Sequence, residues 1–79
     1  MEIKSKIGVR IKELREVKQL SQKDLAYTSD LDRSYIASVE NGKRNISIVN
    51  IEKIADALGV TLKDFFNTKD FENITTNKN

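Results

Sequence analysis

Apolar side chains recur along the chain with the period of an α-helix. The first stripe consists of four residues spaced at i, i+4, i+8 and i+11: Ile3, Ile7, Ile11 and Leu14. Because a helix has about 3.6 residues per turn, this spacing puts all of them on one face. The pattern therefore predicts a first helix that ends before Leu20. Gly8 lies inside it, where glycine costs about 1 kcal/mol relative to alanine, so another element is expected to pack closely there.

Capping residues predict where the next two helices begin and end. The segment Ser21-Gln22-Lys23-Asp24 matches a capping box, so a second helix should begin at Gln22. Asp32 is expected to cap a third helix with its carboxylate. Gly42 can adopt the left-handed conformation that ends that helix. The apolar face of the third helix comprises Ile36 and Val39.

Two further helices are predicted in the same way. Ser47 can cap a fourth helix, which Gly59 ends, and Thr61-Leu62-Lys63-Asp64 is a second capping box that opens a short fifth helix. The apolar positions of these helices are Ile48, Ile51, Ile54, Ala55 and Leu58, followed by Phe65 and Phe66. The chain is thus expected to be all-α. Residues 1–66 should form one domain, and residues 67–79 a polar C-terminal tail that is loose or depends on a partner.

The second and third helices, at about residues 21–41, have the proportions of a helix-turn-helix. Leu25 and Ala26 are expected to pack against the third helix, and Asp30 should take positive φ in the turn. Since the apolar residues of the third helix point inward, polar residues remain on its leading end and outer surface. The residues placed to enter a major groove are Arg33, Ser34, Tyr35, Ala37 and Ser38.

Composition excludes several classes of function. The chain has 79 residues and contains neither cysteine nor histidine. It therefore lacks thiolate metal ligands, disulfides and the commonest general base. We expect no catalytic site, no metal and no cofactor. Apolar runs are too short for a membrane span or a signal peptide, so a cytoplasmic location is expected.

Charge adds information only through its placement. Fourteen basic and twelve acidic residues give a net charge of +2. The dense basic pair Lys43-Arg44 lies in what the sequence predicts to be a loop, flanked by Asn41, Gly42 and Asn45. This loop directly follows the third helix, so it would lie along the phosphates if that helix entered a groove. The alternative is a solvated loop.

The sequence resembles the phage-repressor-like (XRE-type) helix-turn-helix family from Ile7 to about Phe66. The resemblance rests on these segments: Ile7-Gly8, Arg10-Ile11, Leu14-Arg15, Leu20-Ser21-Gln22, Leu25-Ala26, Tyr35-Ile36, Glu40-Asn41-Gly42-Lys43, Ile54-Ala55 and Leu58-Gly59-Val60. Within that family, the segments Asp24–Tyr27, Leu31–Ile36 and Arg44-Asn45 are most similar to the controller proteins of restriction–modification systems.

The resemblance implies a compact five-helix, lambda-repressor-like domain. It implies a homodimer that binds a palindromic double-stranded DNA operator, activating transcription at low occupancy and repressing it when a second dimer covers the promoter. RNA polymerase is a further candidate partner. It also implies that Arg15 and Glu40 form an ion pair between the first and third helices, which is a scaffold role.

Each candidate contact has a structural alternative. Arg33 can bond a guanine bidentately or pair with a neighbouring aspartate. Tyr35 can contact a sugar, a thymine methyl or a phosphate, or simply pack against its helix. Gln22 matches a family position that bonds a phosphate, and Arg44 can instead reach the minor groove. The remaining DNA-binding candidates are Ser34, Ser38, Asn41, Lys43 and Asn45.

Apolar residues left over after the core is filled predict a dimer interface. The candidates are Val49, Val60, Phe65 and Phe66. Ordinary apolar surface is the alternative. Two other functions also stay open at this point: an autoregulating antitoxin whose tail binds a toxin, and a protein-interaction module that does not bind DNA.

Overall fold

The computed structural model describes residues 2–72, and over that range the chain is all-α, as the sequence predicts. The elements are α1 (Ile3–Val17), α2 (Gln22–Ser29), α3 (Arg33–Glu40), α4 (Ile48–Leu58) and α5 (Leu62–Phe65), followed by a 3-10 turn at Lys69–Phe71. Helices α1 and α2 both pack against α3, and α4 packs against α2 and, less extensively, against α1 and α5. This arrangement leaves one face of α3 outside the core.

Local hydrogen bonds explain where most of the helices begin. The Ser21 hydroxyl accepts from the Asp24 N–H at 2.9 Å, and the Asp24 carboxylate accepts from the Ser21 N–H at 3.1 Å, so the first predicted capping box is confirmed. Accepting that backbone N–H lowers the pKa of Asp24. Ser47 caps α4 through the Asn50 N–H at 3.1 Å. At α5 one half of the second box forms, with the Thr61 hydroxyl accepting from the Asp64 N–H at 3.0 Å.

The prediction that the Asp32 carboxylate caps α3 is wrong. Asp32 does have the extended backbone of an N-cap residue, but its side chain makes no capping hydrogen bond. Because Asp32 is exposed, water solvates its carboxylate and the neighbouring amide groups, so the cap can remain unmade at little cost. The leading end of α3 is therefore free of a side-chain cap.

The core consists of side chains from all five helices. Its largest fully buried members are Ile11, Leu25, Ile36, Val39, Ile54, Leu58 and Phe65. Burying each such side chain stabilises the fold by roughly 1.5–3 kcal/mol. Two predicted stripe residues lie outside the core: Ile3 and Ile48 are exposed. Each is the first residue of its helix, so it precedes the point at which the helix reaches the other elements.

The two adjacent phenylalanines of the fifth helix have different roles. Phe65 is fully buried within the chain's own core, so its assignment to a dimer interface is wrong. Successive side chains on a helix point about 100° apart, so only one of the pair can face inward. Phe66 remains 37% exposed. Its ring packs edge-on against Phe71, with centroids 5.1 Å apart.

The predicted loose tail is therefore partly attached to the domain. Phe71, at the end of the 3-10 turn, packs against the core cluster. Apolar burial of this one side chain gives the chain after α5 a fixed path as far as residue 72. The other apolar residue of the tail, Ile74, lies outside the described residues.

Two backbone positions set the relative placement of α1, α2 and α3. A Cβ atom at Gly8 would lie 2.6 Å from the Glu40 carbonyl oxygen, so only glycine allows α1 to approach the end of α3 this closely. The expected close packing at Gly8 is confirmed. Asp30 has φ 58°, which confirms the predicted left-handed residue in the turn between α2 and α3. The following N–H, of Leu31, donates to the Ala26 carbonyl at 3.0 Å and closes the end of α2.

Asp30→Gly should leave the free energy of unfolding unchanged or raise it by up to about 1 kcal/mol, because glycine relieves left-handed strain and loses part of that gain to unfolded-state entropy. Gly59→Ala is the matched control and should lose about 1 kcal/mol, since Gly59 has φ 73° and a Cβ there would make only an ordinary contact with the Lys18 Nζ at 3.8 Å. Urea denaturation of both variants checks the pair. A clear loss on Asp30→Gly would show that the Asp30 side chain itself stabilises the turn.

Candidate nucleic-acid interface

Helix α3 presents polar side chains on the face that the core does not use. Its buried apolar residues are Ile36 and Val39, and they point inward as predicted. Arg33 and Ser34, at the leading end, are exposed, while Tyr35 and Ser38 are half-buried on its side. An α-helix with its side chains is about 10–12 Å across, which fits the width of a major groove. The fold thus offers a short helix whose free face carries hydrogen-bonding groups.

A buried ion pair holds the far end of α3. The Arg15 guanidinium binds the Glu40 carboxylate through two hydrogen bonds, of 2.7 and 3.1 Å. The Arg15 guanidinium also donates a hydrogen bond of 2.8 Å to the Leu20 carbonyl, which attaches the turn between α1 and α2 to the ion pair. The Glu40 side chain is only 2% exposed, and its hydrogen bonds raise the pKa of Arg15. The expected pair is confirmed, and it connects α1 to α3.

Gln22 joins the same network. Its side-chain amide donates to the Glu40 carboxylate at 3.1 Å, at the start of α2. An amide has two N–H groups and one carbonyl, so one donor and one acceptor remain for other partners. Glu40 therefore fixes the orientation of Gln22 without using up its hydrogen-bonding capacity.

The loop after α3 is basic and exposed. Its candidate residues Asn41, Lys43, Arg44 and Asn45 are all exposed. Gly42 has φ 72°, and a Cβ atom there would lie 2.7 Å from the Ser5 hydroxyl, so the loop turns tightly against α1. Arg33 at one end of α3 and this loop at the other end thus carry positive charge to both ends of the same helix.

A second cluster connects α3, the loop and α4. The Tyr35 hydroxyl accepts a hydrogen bond of 3.0 Å from the Asn50 side-chain amide. The Arg44 guanidinium lies over the Tyr35 ring, 4.9 Å from its centroid, in a cation–π contact. Sequence reasoning missed Asn50, because its position in the first turn of α4 indicates only that its backbone N–H is capped by Ser47.

Apolar residues remain exposed around the start of α4 and the end of α5. Ile48 is 81% exposed and Val49 59% exposed, and Phe66 lies at the edge of a groove. The groove is lined by Ile3, Lys4, Ile7, Asn45, Ile46, Ile51 and Phe66. Val60 is half-buried against the core. Of the predicted interface residues, Val49 and Phe66 are therefore available for contact, Val60 in part.

Two observations concern other kinds of site. Among residues 2–72, no helix is long and apolar enough to cross a membrane. Over the same range, no group of three or more acidic, histidine or cysteine side chains is placed to hold a metal ion.

A helix-turn-helix supported in this way defines a class of DNA-binding proteins, and comparison with known proteins agrees. Residues 11–65 match the family model described as Helix-turn-helix. Control protein C.MunI of a Mycoplasma species is 52% identical over 66 residues, which cover 82% of this chain and 89% of that protein. Control protein C.BamHI of Bacillus amyloliquefaciens is 48% identical over 58 residues, covering 72% of each chain.

Solved structures give the same result. The restriction-modification controller protein C.AhdI from Aeromonas hydrophila has a TM-score of 0.77 and 51% identity, with 80% of this chain and 96% of that chain covered. The controller protein C.Esp1396I, solved as a tetramer in complex with its natural 35-base-pair operator, has a TM-score of 0.77 and 43% identity, with 80% and 83% covered. The chain therefore belongs to the helix-turn-helix family and, within it, to the controller proteins of restriction–modification systems.

Glu40→Ala should lower the free energy of unfolding by about 3 kcal/mol, because it leaves the Arg15 guanidinium without its carboxylate in a largely buried site. The double variant Arg15→Met/Glu40→Leu should lose less than the single one, since it removes both charges. Urea denaturation measures both. A loss below about 1 kcal/mol for Glu40→Ala would contradict the scaffold role of the pair.

Proposed function

We propose that this protein is a dimeric, sequence-specific transcriptional regulator that binds the palindromic operator of a restriction–modification system. The observation that carries the proposal is the free polar face of α3, with positive charge at both ends, on a scaffold fixed by the Arg15–Glu40 pair. Membership of the controller proteins supports it, and so does the operator complex of C.Esp1396I, which is 43% identical.

Base reading falls to the leading end and outer side of α3. Arg33 is exposed at the first helical position, from which a guanidinium can bond the O6 and N7 of a guanine together. The hydroxyl groups of Ser34, Tyr35 and Ser38 contribute shorter contacts to bases or to the backbone. Arg33, Ser34 and Ser38 lie outside the hydrophobic core cluster, and Tyr35 packs only at its edge. The polar ends of all four side chains are therefore available for DNA.

Anchoring falls to residues at the ends of the motif. Gln22 begins α2, where free backbone N–H groups favour a phosphate. Lys43 and Arg44 add positive charge beside the polar side chains of Asn41 and Asn45. Such contacts set the position of α3 in the groove and carry no base information.

Two half-sites require two copies of the chain. The candidate interface consists of the exposed residues Ile48, Val49 and Phe66, together with the half-buried Val60 between α4 and α5. A symmetric dimer places two recognition helices about 34 Å apart, so half-sites should be centred roughly 10 base pairs apart or a multiple of this.

We propose a cytoplasmic regulator that needs no cofactor, performs no catalysis and meets RNA polymerase at the promoter. Its support is membership of a family of DNA-binding regulators.

Substitutions at Arg33 and Lys43 should distinguish a base contact from a phosphate contact. The wild-type protein first selects its operator from a random DNA library. Arg33→Ala should then cost about 1–3 kcal/mol of binding on that operator and little on random DNA, because it removes a base contact. Lys43→Ala should weaken both DNAs by similar factors and reduce the salt slope by about one unit.

Fluorescence titrations over a range of salt concentrations measure both variants. If Arg33→Ala weakens random DNA as strongly as the operator, Arg33 is an anchor and the assigned reading head is wrong. If the wild type selects no sequence, the proposed function itself is wrong.

Val49→Asp should convert a dimer to a monomer at micromolar concentration, because association would bury an unpaired carboxylate. Val17→Asp is the matched control: Val17 is 77% exposed at the end of α1, outside the candidate interface, and its replacement should leave the dimer intact. Sedimentation equilibrium distinguishes the two. A monomeric wild type, with or without DNA, would refute the interface.

A further inference from the structure

Asn50 connects the helix that carries the candidate dimer interface to the helix that carries the candidate reading head. Its backbone N–H bonds the Ser47 hydroxyl at 3.1 Å, so the first turn of α4 is fixed locally. Its side-chain amide is then free to reach Tyr35 on α3, to which it donates at 3.0 Å. The backbone of Asn50 is thus bonded within the cap of α4, and its side chain is bonded to α3.

The direction of this hydrogen bond determines what the Tyr35 hydroxyl can do. A phenol has one proton to donate and lone pairs that accept. Since the oxygen accepts from Asn50, the proton is directed elsewhere and can donate to an acceptor. An accepted hydrogen bond also polarises the O–H and strengthens its donation. Phosphate oxygens and the acceptors on base edges suit such a donor.

The Tyr35 ring has a second role, because Arg44 lies over its face at 4.9 Å. The Arg44 side chain is exposed and carries several rotatable bonds, so a free guanidinium would lose much conformational entropy on binding DNA. Stacking on an immobile ring restricts it beforehand. The ring packs at the edge of the core, and the Asn50 amide holds its hydroxyl end.

We propose that Asn50 is a positioning residue for operator recognition: through its hydrogen bond to Tyr35, it aims the tyrosine hydroxyl and the stacked Arg44 guanidinium at the DNA. This inference rests on the proposed function, because it assigns a role to a residue in operator binding. Asn50 itself acts through Tyr35 and need not touch DNA.

A double-mutant cycle tests the link on the operator selected by the wild type. Asn50→Ala should weaken operator binding by about three- to tenfold, the range of one lost hydrogen bond. Tyr35→Phe removes the same bond from the other side and keeps the ring. Asn50→Ala made in the Tyr35→Phe background should therefore cause little further loss. Tyr27→Phe, at a tyrosine that is 89% exposed on α2, is the matched control and should bind as the wild type does.

A second measurement needs no DNA. In the free protein, the Tyr35 ring current should shift the Arg44 side-chain N–H resonance, and Asn50→Ala should move this resonance toward its position in Arg44-containing unstructured peptides. Sedimentation equilibrium of Asn50→Ala should give the wild-type dimer constant, because the residue acts on α3 and not on the interface. The Arg44 resonance should stay unchanged if Asn50 merely fills space in α4.

The outcomes separate the two proposals. A wild-type protein that selects no operator overturns the proposed function and this inference with it. An operator that Asn50→Ala binds as tightly as the wild type does overturns the inference alone. So does an additive cycle, an unchanged Arg44 resonance, or a dimer constant that falls by the same factor as operator affinity.

Discussion

The Arg15–Glu40 ion pair is the constraint on which the geometry of the motif depends. Taking a carboxylate out of water is costly, and the cost is offset only while the guanidinium and the Gln22 amide stay in place. The pair therefore tolerates one arrangement of α1, α2 and α3. Gly8 makes that arrangement possible, because a side chain there would collide with the backbone at the end of α3. An interaction of this kind contributes less to net stability than to the choice of a single structure.

A fixed scaffold matters because α3 is too short to be stable alone. An isolated helix of eight residues is marginal in water, so its form comes from tertiary packing. Ile36 and Val39 supply that packing on one face, and the other face is left for polar groups. The fold therefore presents Arg33 and Ser34 on a helix whose own sequence would not keep it folded. Because packing against the core already orders α3, the backbone of this helix loses little conformational entropy when it binds DNA.

The sequence predicts those features that depend on neighbouring residues. The Ser21–Asp24 box, the left-handed Asp30 and the end of α4 at Gly59 all follow from local chemistry, and the structure contains them. Features that depend on packing between distant parts of the chain do not follow from the local sequence. Which of two adjacent phenylalanines faces inward depends on how α5 sits on the core, and Ile48 is exposed because α4 begins outside it. The Asn50–Tyr35 hydrogen bond joins residues fifteen positions apart, with no repeating pattern to indicate it.

Different sides of helix α4 contact the core, the candidate dimer interface and helix α3. Ile51, Ile54 and Leu58 are buried, and so fix the helix to the core. Ile48 and Val49 face outward near its start, where a second copy would add apolar burial. Asn50 reaches α3 from the same first turn. Under the proposed function, one turn of helix would set both the spacing of two half-sites and the aim of the side chains that read them. A change that tilts this turn would then alter dimer geometry and operator reading together, which local changes on α3 alone would not do.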